Sequence, residues 1–95
     1  MFIVSLTFMK PLEEIEKQLM AHRAFLKENY DKGIFIFSGR KVPPTGGIIL
    51  AHRISRAELE TLLAQDPFST HGIAGYEITE FTPTMAAEEL KDFMA

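Results

Sequence analysis

His22 and Asp66 are the two residues of this chain whose types and positions could do acid/base chemistry. If residues 11–32 form one helix, Leu12, Ile15, Leu19, Leu26 and Tyr30 make a stripe at i, i+3, i+4, i+7 spacing, and His22 falls inside its arc. The second helical stretch repeats the oddity: Leu59, Leu62 and Leu63 share a face that Asp66 continues. An imidazole and a carboxylate at core-facing positions are costly unless they are paired or hydrogen-bonded. Paired, they form a general acid/base, because the carboxylate fixes one ring nitrogen and the other can take or give a proton. Gln18, His22 and Asn29, with Phe25 beside them, form a polar lane that could line a pocket between helix and sheet. The same spacing admits a plainer reading, in which the pair only satisfies itself or Asp66 caps backbone amides near Pro67.

The elements that must position these residues follow from periodicity and capping signals. Phe2 to Phe8 alternates, with Phe2, Val4, Leu6 and Phe8 on one face and Ser5 and Thr7 on the other, which predicts a strand. Pro11 suits the first turn of the long helix, early glutamates suit its positive end, and Gly33 suits its close. A second strand is expected over Ile34–Phe37, ended by Ser38-Gly39. A stiff basic loop from Arg40 through Pro43-Pro44 to Gly46 and a strand over 47–51 follow. Ser55-Arg56-Ala57-Glu58 has capping-box form and opens the second helix, which Pro67 ends near Asp66. Tyr76 to Phe81 supplies the last strand, and Thr84 caps a short amphipathic helix through Leu90, Phe93 and Met94.

This βαββαβ order predicts a single ferredoxin-like α+β domain, a four-stranded antiparallel sheet with two helices on one face and a short C-terminal helix. The middle strands are apolar on both faces, although two helices cover only one. A second copy packed sheet to sheet is the expected cover, so the chain reads as a homodimer.

Composition narrows the function classes. Ninety-five residues, 46% hydrophobic with eight phenylalanines, make one ordinary globular domain. A net charge of −3 without a basic cluster gives no electrostatic footprint for nucleic acid or an anionic membrane. Absence of cysteine removes disulfides, thiol chemistry and soft metal ligands. The opening segment lacks the basic flank and the apolar length of a signal or a membrane span, so a cytoplasmic location is expected.

Several segments together resemble the YciI-like (YCII-related) family: His22-Arg23-Ala24-Phe25-Leu26, Gly33 to Gly39, Thr45 to Ala51, Asp66-Pro67-Phe68 with Gly72, and Tyr76-Glu77-Ile78 with Phe81. The resemblance spans nearly the whole chain. It implies a ferredoxin-like fold that dimerises as an α+β barrel, with the helix histidine and the Asp of the Asp-Pro-Phe turn, here His22 and Asp66, as the catalytic pair. It also makes Ser38 and Gly39 pocket wall. Family members often carry proline after that glycine, whereas this chain has Arg40. Kinship with muconolactone-isomerase-like and dehydrochlorinase proteins implies proton abstraction or elimination on small cyclic or phenolic compounds.

The resulting reading is a cofactor-free lyase or isomerase acting on a small carboxylated or phenolic compound. His22 is its acid/base and Asp66 the orienter; Ser38, Gly39, Arg40, Phe68 and His71 are ligand neighbours. The competing reading is a non-catalytic ligand-binding or assembly module with a structural His–Asp pair. Oxygenase chemistry on the same fold has no dedicated residue here. His52 reads as a solvated strand-end histidine, and His71 as a loop histidine near the Asp66 turn. The histidines show no short-range metal-ligand spacing, so no metal is expected. Arg40 and Lys41 beside Gly46-Gly47 could receive an anion at the pocket mouth, or form a solvated loop.

Overall fold

β1 (Phe2–Phe8) buries Phe2, Val4 and Leu6 and turns Ile3 and Thr7 outward, as its alternation requires. The structure, a computed structural model, describes residues 1–94. After β1 come α1 (Leu12–Asp31), β2 (Phe35–Arg40), β3 (Gly46–Ala51), α2 (Arg56–Leu63), α3 (Pro67–Thr70), β4 (Ala74–Glu80) and a 3-10 helix at Glu88–Met94. The strands form one antiparallel sheet in the order β2-β3-β1-β4. This is the ferredoxin-like α+β arrangement: each βαβ half straddles a strand of the other, and the helices pack on one face. Phe2, Val4, Leu6, Phe35, Ile49 and Ala51 bring the sheet's side of the core. Ile15, Phe25, Leu59, Leu63 and Phe68 bring the helical side.

Several details differ from the expected elements. The buried seam of α1 is Ile15, His22, Phe25 and Asn29, rotated from the leucine stripe toward the polar lane, while Leu12 is exposed and Leu19 and Leu26 only half-buried. The helix therefore centres His22 against the sheet, and the leucines flank it. α2 stops at Leu63, so Asp66 does not continue its face; it reaches full burial as the N-cap of α3. Pro67 at the first helical position makes that restart natural.

β2 does not end at Ser38-Gly39 but continues to Arg40, leaving a connection of residues 41–45 to β3. Phe35 pairs with Ala51 and Phe37 with Leu50, so Ile36 is an extra residue and the strand carries a bulge. Without it, Phe37 and Gly39 would follow Phe35 onto the helix face. With it, Ser38 opposite Ile49 and Arg40 opposite Gly47 turn to that face, and Phe37 turns away. The sheet's other face carries exposed Ile3, Phe37 and Ile48.

Where β3 meets β1, Gly46 sits against the backbone: a Cβ there would lie 1.8 Å from the Leu6 carbonyl oxygen. Gly33 closes α1 with a positive φ of 76°. The capping box of α2 forms as expected, with the Ser55 hydroxyl accepting from the Glu58 N–H and the Glu58 carboxylate accepting from the Ser55 N–H. The expected short C-terminal helix forms as a 3-10 helix that starts at Glu88 and not at Thr84. It folds over His52, which is buried and not solvated, with its Nδ1–H donating to the Phe93 carbonyl at 3.4 Å.

Candidate active site

His22 on α1 and Asp66 before α3 lie 44 residues apart in the chain and meet through a hydrogen bond of 2.8 Å from His22 Nδ1 to Asp66 Oδ1. Asp66 is fully buried. Its Oδ1 also accepts the Phe68 N–H at 3.1 Å, and its Oδ2 accepts the Tyr76 hydroxyl at 2.5 Å. Three donors converge on one carboxylate, which is how a buried anion is compensated without a cation. All three point their protons at Asp66, so the Nδ1–H tautomer of His22 is the one that fits. Its Nε2 then carries the lone pair and has no hydrogen-bond partner among the described residues.

The Asp66-Pro67-Phe68 turn grips the imidazole twice. Asp66 holds its edge, and the Phe68 ring stacks on its face with centroids 3.9 Å apart and planes 6° from parallel. Phe68 is in turn held edge-on by Phe8 at 5.9 Å. Edge and face together leave the ring little rotational freedom, so Nε2 is pre-aimed.

The space beside His22 is a cavity of about 750 Å³ between α1 and the sheet. Leu6, Leu19, Leu26, Ile49 and Phe68 contribute apolar wall. The polar lining is His22, Glu16, Arg23, Ser38 and Arg40. Gly39, Gly46 and Gly47 line the sheet side and keep it free of bulk. Ser38 accepts the Tyr30 hydroxyl at 2.6 Å, which leaves its own O–H to donate elsewhere. A partly open apolar chamber with one aimed base and a few polar groups suits a small ring compound.

The sequence-expected residues divide plainly. His22, Ser38, Gly39, Arg40 and Phe68 line this one cavity, and Asp66 stands directly behind His22. His71 does not join them; its ring turns back onto its own turn, Nδ1 lying 3.0 Å from the Pro67 carbonyl and 3.1 Å from the Thr70 hydroxyl. Lys41 leaves the expected basic pair, reaching across β3 to donate to the Thr7 hydroxyl of β1 at 3.3 Å. No group of three or more histidine, cysteine or acidic side chains converges as a metal site among the described residues.

Tyr76 joins the pair from β4, a neighbour that no sequence motif singles out. Its position opposite Leu6 gives it an inward-facing strand site, where a phenol needs a partner. That inward polar group was the available signal. Burial first, then the hydrogen bond and charge of Asp66, push its ionisation well above the ordinary tyrosine value.

No helix among the described residues is long and apolar enough to cross a membrane. A solved structure of 5-chloro-2-hydroxyhydroquinone dehydrochlorinase from Burkholderia phenoliruptrix AC1100, in complex with 2,5-dihydroxybenzoquinone, matches this fold with a TM-score of 0.70. The match covers 85% of this chain and 93% of that one at 18% identity, a likeness that speaks for the fold. Comparison with curated proteins finds no match. The family model of the YCII-related domain matches residues 1–82, and the chain belongs to that family.

Proposed function

We propose that this protein is a cofactor-independent acid/base enzyme of the lyase or isomerase type, acting on a small carboxylated or phenolic ring compound. The observation that carries the reading is His22 itself, held at Nδ1 by a buried carboxylate, without a partner at Nε2 among the described residues, and lining a cavity of ligand size. In the reaction, Nε2 takes a proton from a substrate carbon. The C–H electron pair then either moves into the ring, to be reprotonated elsewhere by the imidazolium, or expels a leaving group such as chloride. Asp66 keeps the tautomer and balances the imidazolium without itself taking the proton. The fold's likeness to a dehydrochlorinase is in keeping with the elimination branch.

The non-catalytic alternative also has an observation in its favour. Asp66 N-caps α3 and receives Tyr76, so its carboxylate would be retained for structure alone. Incubating the protein with chlorohydroquinones, reading chloride release, and with unsaturated lactone carboxylates in deuterium oxide, reading exchange, separates the two. Turnover that falls by about 10²–10⁴ in His22→Gln is expected for a general base. An inert wild type, or an equally active His22→Gln, would leave the binding-module reading standing. The same proposal includes a homodimer formed through the open sheet face, where Ile3, Phe37 and Ile48 are exposed.

A further inference from the structure

We infer that Arg40, assisted by Arg23, anchors a carboxylate of the substrate, so that the cavity selects ring-bearing carboxylates over neutral phenols; this rests on the reading of the cavity as a substrate pocket. Both arginines line the chamber that His22 faces. Among the described residues, Lys17, Lys27, Lys32, Arg56 and Lys91 are engaged in ion pairs, and of the cations that are not (Lys10, Arg23, Arg40, Lys41 and Arg53) only the two arginines line this chamber. It is the shared chamber, with their lack of ion pairs, that sets these two apart.

Their placement has separate causes, which makes coincidence a poor account. Arg23 follows His22 on α1 and shares its cavity-facing side. Arg40 reaches the same chamber only because the bulge at Ile36 turns Ser38 and Arg40 to the helix face. The strand partner opposite Arg40 is Gly47, whose missing side chain keeps the space beside the guanidinium free.

The charge count favours an anion. Glu16 is the cavity's single acidic group, against two guanidiniums. On α1 it lies seven residues before Arg23, about 10 Å along the axis, too far for the two to neutralise each other directly. A chain of net charge −3 thus presents a locally cationic chamber with apolar walls. That combination recognises a planar carboxylate through the two-pronged guanidinium and its ring through the leucines and Phe68. It also suits the chemistry, because proton removal from an anionic substrate builds further negative charge that a nearby cation stabilises.

The test uses benzoate as the anionic probe and benzamide as its neutral isostere, titrated into the full chain and followed by calorimetry and by the His22 and Phe68 ring resonances. Benzoate should bind roughly tenfold or more tightly than benzamide, with an affinity that falls as salt is added. Arg40→Gln should lose roughly tenfold of the benzoate affinity, Arg23→Gln less, and neither should alter benzamide binding. Lys27→Gln, already paired with Asp31 away from the cavity, should behave as wild type. Equal affinity for the two probes, unchanged benzoate binding in Arg40→Gln, or no shift of the cavity resonances up to tens of millimolar would overturn the proposal. His22→Gln separates this inference from the enzymatic reading: it should keep the charge preference while losing any turnover. If wild type proves inert yet retains that preference through Arg40, the anion site stands without the chemistry.

Discussion

At the scale of single residues, the two halves of the pair have different jobs, and substitution should expose them. Asp66 receives His22, the Phe68 amide and the Tyr76 hydroxyl, so Asp66→Ala strands three donors in the interior. We expect a loss of about 3–5 kcal/mol in urea unfolding, with or without catalysis. His22→Gln removes one of three donors and a ring stack, and should cost about 1–2 kcal/mol. A His22→Gln loss as large as that of Asp66→Ala would mark the imidazole as structural. Tyr76 provides a pH signature. Because its folded ionisation is raised, the folded protein keeps a proton that the unfolded chain releases above about pH 10. The stability from Tyr76 is therefore complete below that pH and is lost progressively above it. Urea midpoints measured between about pH 8 and 11 should decline less steeply in Tyr76→Phe than in wild type; parallel declines would contradict the assigned hydrogen bond.

At the scale of elements, the strand and helix order was readable because alternation in β1, the capping box at Ser55 and Gly33 are local signals. The pairing of His22 with Asp66 was readable too, since polar residues at apolar positions stand out and need partners. The setting of Asp66 was readable in part: helical phase suggested a continuing face, whereas the other expectation, a cap on backbone amides near Pro67, is the one the structure has, alongside the bond to His22. The bulge at Ile36 was equally hidden, because an extra residue in one strand is defined only by its partner's register. Ser38 and Arg40 owe their cavity position to that non-local fact, and Tyr76 owes its contact to β4's pairing with β1. Element geometry also makes a sharp prediction at Gly46. A Cβ in the space of the Leu6 carbonyl must part β1 from β3, so Gly46→Ala should cost about 3 kcal/mol or more in thermal or urea unfolding. Near-wild-type stability would contradict the described strand approach.

At the scale of the whole molecule, the sheet is covered by helices on one side, and its other side carries exposed Ile3, Phe37 and Ile48 among polar Ser5, Thr7 and Glu77. If that second face pairs with a copy of itself, light scattering at micromolar concentration should return twice the 10.7 kDa chain mass, and Phe37→Glu should return one. A wild-type monomer would remove the sheet-to-sheet model. The 44-residue separation of His22 and Asp66 reaches further. The imidazole comes from the first βα unit and the carboxylate from the second, and residues 41–45 join the halves at the surface. Neither half contains both partners, so the His22–Asp66 pair belongs to the closed sheet and to no fragment. Cut within that connection, the chain becomes a two-piece reporter: tethering the pieces to two other proteins should restore the His22–Asp66 resonance signature only when those proteins meet.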